Sequence, residues 1–109
     1  MKLTEKHCVP CEGGTPPLTP EQVAEYQKEL PEAWDVLDNM KITKKFLFED
    51  FKEAMAFVNK VAEIAEAEGH HPDMHVSYNK VLVELWTHAI HGLSDNDFIL
   101  AAKIDGISD

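Results

Sequence analysis

The sequence predicts an α+β fold: a single domain in which a four-stranded antiparallel sheet carries helices packed on one face. Three observations lead there. The chain has 109 residues, enough for one core without disulfide support. Two stretches read as strand pairs around tight turns, and a long, well-capped helical pattern separates them. Shorter helical patterns flank this unit, giving the order helix, strand, strand, helix, strand, strand, helix. Hairpins split by a helix favour one antiparallel sheet with helices on a single side. The opposite face or the edge then stays open, and an oligomer is a natural cover for it.

Residues 1–18 read as an N-terminal arm, expected to be mobile, and residues 19–109 as the domain. In "TPEQVAEYQKEL" Thr19 caps a short helix, Pro20 takes the first helical position and Gln22 completes a capping box. Pro31 ends it. "WDVLD", "NMK" and "ITKKFLF" then read as strand, turn and strand. Trp34 and Val36 share one face, and Ile42, Phe46 and Phe48 share a face with Lys44. The best-defined helix is "DFKEAMAFVNKVAEIAEAEG", capped by Asp50 with Glu53 three residues on. Phe51, Ala54, Met55, Val58, Val61, Ala62 and Ala65 follow the spacing of one buried face. Gly69 suits the left-handed position that closes such a helix.

In the second hairpin "MHVSY" and "VLVELWT" flank "NK", with Asn79 expected to take a positive φ. Val81, Val83, Leu85 and Thr87 should point one way, and Leu82, Glu84, Trp86 and His88 the other. "GLSDND" leads into the last helix, "DNDFILAAKID". Ser94 can cap it, and Asp95 and Asp97 in its first turn complement the helix dipole.

Composition narrows the function. Hydrophobic residues make up 44% and charged residues 28%, values of a globular protein. No apolar run approaches the roughly 18 residues that cross a bilayer. The opening "MKLTEKHCVPCEGG" has no secretory apolar stretch, so a cytoplasmic location is expected. Ten basic residues, all Lys, face twenty acidic ones, for a formal net charge of -10. That balance disfavours nucleic-acid binding. Without Arg the chain also lacks the usual bidentate clamp for phosphate or carboxylate. A neutral or weakly charged small ligand fits better.

The two cysteines, Cys8 and Cys11, form "CVPC". A thioredoxin-like pair needs a strand-to-helix context, whereas "EGGTPP" follows here. Half of a zinc site with His7 lacks a second ligand pair. An ordinary reduced pair in the arm is the simplest reading.

Five of the six histidines fall within "EGHHPDMHVSYNKVLVELWTHAIHG". A zinc site is one reading, but no HExxH pattern occurs, and adjacent residues in extended chain point apart, so His70 and His71 do not readily chelate one ion. Plain surface histidine suits His75 and His91. "HHP" is different. Pro72 restricts His71 to an extended conformation and Gly69 sets the turn before it. His88 ends another strand, so three imidazoles at element ends can meet in one cleft on a rigid frame. With no nucleophile-plus-base pattern and no phosphate loop, proton transfer is the work left to them. Histidine, with an unperturbed pKa of about 6.5, both gives and takes protons at neutral pH. Positioned acid–base groups give roughly 10²–10⁴-fold in rate, which suffices for dehydration of a carbinolamine and not for a very slow hydrolysis.

"HHPD", "YNKVLVELWTH" and "GLSDNDFILAAKID", following "FLFEDFKEAMAFVNKVAEIAE" and Trp34, together resemble the pterin-4a-carbinolamine dehydratase family, from about Leu18 to Asp105. The resemblance implies an α+β domain with a four-stranded antiparallel sheet. The implied reaction is loss of water from a 4a-hydroxytetrahydropterin to give the quinonoid dihydropterin, with no metal and no bound cofactor. Implied partners are the pterin itself and further copies of the chain, as homodimer or homotetramer, in tetrahydrobiopterin recycling beside an aromatic amino-acid hydroxylase. Animal members also serve as dimerisation cofactors of a transcription factor, so a non-catalytic interaction module that keeps the pocket is the alternative.

By the same resemblance His70, His71 and His88 match the catalytic histidines. His70 and His88 look like acids serving the two faces of C4a. His71 looks like the group that orients the pterin, and it is also a candidate to take the N5 proton. Thr87 and the backbone of Pro72 and Ala89 match the ring's polar edge. Asp97 matches an acidic position able to orient an imidazole, Trp34 a tryptophan near the pterin, and Glu66 a support for the histidines. Core packing for Trp34 and plain solvation for Glu66 remain open readings.

Overall fold

The computed structural model describes Leu3, Cys8, residues 16–30 and residues 34–107. His7, Cys11 and Pro31, each given a role above, lie outside the described residues.

The first helix, α1 (Pro20–Lys28), starts as the sequence expects. Thr19 Oγ1 accepts from Gln22 N–H, and Gln22 Oε1 accepts from Thr19 N–H at 2.9 Å. This reciprocal pair satisfies donors that a helix start otherwise leaves unpaired. Strands β1 (Asp35–Leu37) and β2 (Lys41–Leu47) follow, antiparallel, with Val36 opposite Ile42. Asp38 and Asn39 between them hold φ of 52° and 54°. Short polar side chains tolerate that region, and two such residues match the right-handed twist of a tight hairpin.

Helix α2 (Phe51–Glu68) is capped by Asp50, whose carboxylate accepts from Glu53 N–H at 2.8 Å. Its buried residues are Ala54, Phe57, Val61 and Ala65. The expected face is therefore rotated: Phe51 is 51% exposed and Ala62 is exposed, while Phe57, absent from that expectation, is central. The cause is aromatic packing, since the Phe57 ring lies 4.7 Å from Phe46 and 5.0 Å from Phe48, centroid to centroid. Such pairs add to simple area burial.

Strands β3 (Asp73–Ser77) and β4 (Lys80–Leu85) form the second hairpin, and the sheet order is β1-β2-β4-β3, all antiparallel. The positive φ in this turn belongs to Tyr78, at 54°, and not to Asn79. Asn79 instead ties the turn to the end of β2. Its side-chain amide donates to Phe48 O at 3.0 Å, and its carbonyl accepts from Phe48 N–H at 2.8 Å. Val81, Val83, Leu85 and Thr87 are all buried, as the alternation requires.

The last helix, α3 (Asp95–Ile107), is buried nearly all round, from Asn96 through Ala102. It therefore fills the centre of the helical layer rather than showing one apolar stripe. Lys44, on the core-facing side of β2, is accommodated by charge: its Nζ lies 2.6 Å from Asp105 Oδ1, and Trp34 Nε1–H donates to Asp105 Oδ2 at 3.0 Å. Some of the described arm residues contact the domain. Leu3 is 3% exposed within the core cluster, and Leu18 N–H donates to Leu93 O at 2.8 Å. Among the described residues, no helix is long and apolar enough to cross a membrane.

Candidate active site

Two chain segments build the site. One leaves α2 through Gly69, at φ 68° and ψ 25°, whose N–H donates to Ala65 O at 2.9 Å. A Cβ there would meet nothing within 4 Å, so glycine answers a dihedral need and not a lack of room. The chain is turned directly into His70, His71 and Pro72 and then into β3. The other segment runs off the end of β4 through Trp86 and Thr87 into a single 3₁₀ turn, His88–Ile90. Thr87 and Gly92 close that loop, with Thr87 N–H donating to Gly92 O at 2.8 Å. Gly92 abuts Pro17: an added Cβ would stand 2.6 Å from Pro17 Cβ, so the loop seats on residues that precede α1.

Between the two segments lies a cleft of about 480 Å³, lined by Gly69, His70, His71, Pro72, Asp73, Trp86, Thr87, His88, Ala89 and Asn96. The three sequence-predicted imidazoles therefore share one cavity, together with Pro72, Thr87 and Ala89. Asp97 stands behind it, fully buried at the start of α3. Its Oδ1 lies 2.6 Å from His70 Nε2, and its Oδ2 accepts from Thr87 Oγ1–H and from Ser94 N–H, each at 2.9 Å. Towards an ionised carboxylate, which only accepts, Nε2 is the ring nitrogen that has to donate, and Nδ1 is the one Asp97 leaves unused. Ser94 does precede α3, but its hydroxyl lies 2.7 Å from Thr87 Oγ1, joining the helix start to the strand end.

The histidines differ in their surroundings. His70 is fixed, its side chain only 13% exposed. His71 is 60% exposed and faces Glu66 Oε2 at 3.4 Å, with Glu66 itself 80% exposed. An ion pair so open to water is weak. His88 is exposed, with its ring 3.8 Å from that of Trp86. His75 pairs with Glu84 at 3.0 Å on the outer sheet face, and His91 is exposed at φ 51°, both outside the cleft lining. Trp34 is in neither wall. The resemblance implies a place beside substrate, whereas the structure gives Trp34 to the core: it is fully buried, edge-on to Phe46, with its N–H spent on Asp105. Among the described residues, no group of three His, Cys, Asp or Glu side chains could hold a metal ion.

Asp73, Trp86 and Asn96 line the cleft, although the sequence did not single them out. A signal existed for Trp86, since the strand alternation already set it on the same side as His88. Asp73 is the first residue after His-His-Pro, and Asn96 lies one residue before Asp97.

Cys8 borders the site from behind. Its backbone N–H donates to Glu68 Oε1 at 2.8 Å, and its thiol lies 3.6 Å from the carbonyl of Asn96. Burial first, then the nearby Glu68 and Asp97 carboxylates, push the thiol up to about 12. The thiolate is the reactive form, so at pH 8 an alkylating reagent should modify Cys8 in the folded chain far more slowly than in the urea-unfolded chain, as read by peptide mass mapping. Equal rates would place Cys8 in open solvent.

A profile of the family described as Pterin 4 alpha carbinolamine dehydratase matches residues 16–107. A candidate pterin-4-alpha-carbinolamine dehydratase of Alkaliphilus metalliredigens is 47% identical over 103 residues, covering 94% of this chain and 93% of that one. A counterpart from Nitrosospira multiformis is 52% identical over 103 residues, covering 94% and 89%. Among solved structures, a transcriptional coactivator/pterin dehydratase from Brucella melitensis superposes with a TM-score of 0.80 at 34% identity, over 85% of this chain and 99% of that one. A pterin dehydratase-like protein identified as a RuBisCO assembly factor in the alpha-carboxysome gives 0.62 at 20% identity, over 72% and 92%. That second likeness concerns the fold alone.

Proposed function

The chain belongs to the Pterin 4 alpha carbinolamine dehydratase family, whose activity is that of a hydro-lyase, and from that premise we propose that it dehydrates a 4a-hydroxytetrahydropterin by proton transfer among His70, His71 and His88. The observation that carries this reading is the meeting of the three imidazoles in one cleft, with His70 held by the buried Asp97. Hydroxide is a poor leaving group, so the C4a oxygen must be protonated as its bond to carbon breaks, while N5 gives up its proton and the quinonoid dihydropterin forms. His70 and His88 come from opposite segments of the cleft. In this reading each protonates the hydroxyl on one face of C4a, so both epimers react. His71 orients the ring, with Glu66 near its Nε2. Thr87, Pro72 and Ala89 give the ring's polar edge a neighbouring wall, and Asp97 keeps His70 in one tautomer.

An uncharged heterocycle suits a chain without Arg. The physiological role in this reading is tetrahydrobiopterin recycling beside an aromatic amino-acid hydroxylase, in the cytoplasm. A homodimer or homotetramer is favoured by the exposed apolar side chains Leu37, Leu47, Val76 and Tyr78, which a second copy would cover.

Purified chain is expected to speed 4a-hydroxytetrahydropterin dehydration by roughly 10²–10⁴-fold over buffer, the range of positioned acid–base groups, in stopped-flow absorbance. A rate equal to the buffer rate rejects the proposal. A second reading, an interaction module that regulates a partner, is favoured by the coactivator description of the Brucella protein. Stoichiometric capture of a partner by a chain with no dehydratase activity would select it.

A further inference from the structure

His88 poses a problem that His70 does not. A general acid must be held within hydrogen-bond reach of the atom it serves. His70 has Asp97 behind it, whereas His88 is exposed and begins a short turn. An exposed side chain samples several staggered positions about its first torsion, and fixing one costs conformational entropy.

The structure answers with an aromatic contact. The rings of Trp86 and His88 lie 3.8 Å apart, centroid to centroid, tilted by 43°. Trp86 is itself tethered, because its Nε1–H donates to Asp73 Oδ2 at 3.3 Å. Asp73 pairs with Glu84 in the β3–β4 ladder, which makes Trp86 its diagonal cross-strand neighbour on the outer face. Asp73 also directly follows Pro72, so this bond links the segment carrying His70 and His71 to the segment carrying His88. Trp86 and Asp73 both line the cleft, and the Lys41 ammonium lies 6.0 Å from the Trp86 ring centroid.

We propose that Trp86 is the positioning residue for His88, held in place by Asp73 across the rim of the cleft. The kinetic consequence rests on the dehydratase reading above; the placement does not. Trp86→Leu removes the flat surface, and Trp86→Phe keeps it while losing the N–H. In the full-length chain, Trp86→Leu is expected to lower kcat roughly three- to tenfold, the scale of an aromatic pair, with KM changed less than about twofold. Trp86→Phe should recover most of that loss. In a His88→Ala background Trp86→Leu should add almost nothing, since a positioning effect disappears with its target. An equal loss in both backgrounds would overturn the proposal.

Proton NMR of the histidine ring hydrogens supplies a readout independent of turnover. His88 resonances should be displaced by the indole relative to those of His75 and His91, and should return towards them in Trp86→Leu and, in part, in Asp73→Asn. His88 resonances unmoved by Trp86→Leu would overturn the placement whether or not the chain dehydrates pterins. Displaced resonances in a chain without activity would support the placement and reject the functional reading alone.

Discussion

Replacing His70 and His88 together with alanine is expected to slow dehydration by roughly 10²–10⁴-fold, about 3–5 kcal/mol of barrier. The size follows from the chemistry. Without a positioned acid the C4a oxygen must take its proton from water while leaving. Binding should be far less affected, because Pro72, Thr87 and Ala89 still line the cavity. The single variants should separate by stereochemistry. His70 and His88 sit on different segments, so His70→Ala should slow one C4a epimer and His88→Ala the other. Stopped-flow runs on each resolved epimer read this directly. Full activity in the double variant would remove histidine catalysis from the account, and equal slowing of both epimers by each single variant would remove the two-faced arrangement.

Asp97→Ala is expected to be the most damaging change that leaves all three histidines in place. The Asp97 carboxylate is fully buried and serves three partners on three elements: His70 after α2, Thr87 after β4 and Ser94 before α3. Deleting the shared acceptor leaves buried donors unpaired at about 1–3 kcal/mol each, together a large fraction of the roughly 5–15 kcal/mol that holds a domain together. Urea unfolding should show the loss as a lower midpoint at similar slope. Asp97→Asn separates fold from chemistry. Its carbonyl oxygen can still accept from Thr87 or Ser94, so most of the stability should return. Its amide, however, donates towards His70 Nε2, which moves the ring proton to Nδ1 and withdraws the anion facing the imidazolium. A hydrogen bond to a charged group is worth about 1.5–3 kcal/mol, so Asp97→Asn should lose roughly ten- to a hundredfold in kcat while remaining folded. A stable Asp97→Asn variant with full activity would make Asp97 purely structural.

The sequence carried the order of strands and α-helices, both hairpins and the caps of α1 and α2, because those depend on neighbours a few residues away; the Ser94 hydroxyl, expected to cap α3, is turned to Thr87 instead. Thr19 with Gln22, Asp50 with Glu53 and the glycine after α2 are local arrangements. What it carried less well depended on distant partners. The α2 face was misaligned because Phe57 is chosen by Phe46 and Phe48 across the layer. In the second turn, the pairing of Asn79 with Phe48, 31 residues away, leaves the positive φ to Tyr78. Lys44 on a core face looked like a flaw in the strand pattern until Asp105, 61 residues on, was brought beside it. In the site, the local stiffness of His-His-Pro was legible, and the alternation of β4 already put Trp86 and His88 on one side. The resemblance pointed to Asp97 as an orienting group, but its bond to His70 spans 27 residues and needs the fold to exist. Trp34 shows the limit of carrying a role over by resemblance: its inward face and its bond to Asp105 commit it to the core.

The most direct test is a crystal structure of the chain soaked with a reduced pterin. The ring should lie in the cleft with C4a between His70 and His88, one imidazole on each face, and His71 within hydrogen-bond reach of the heterocycle. A pterin bound instead in the separate groove lined by Phe46, Phe57 and Lys60, with the histidine cleft empty, would contradict the account.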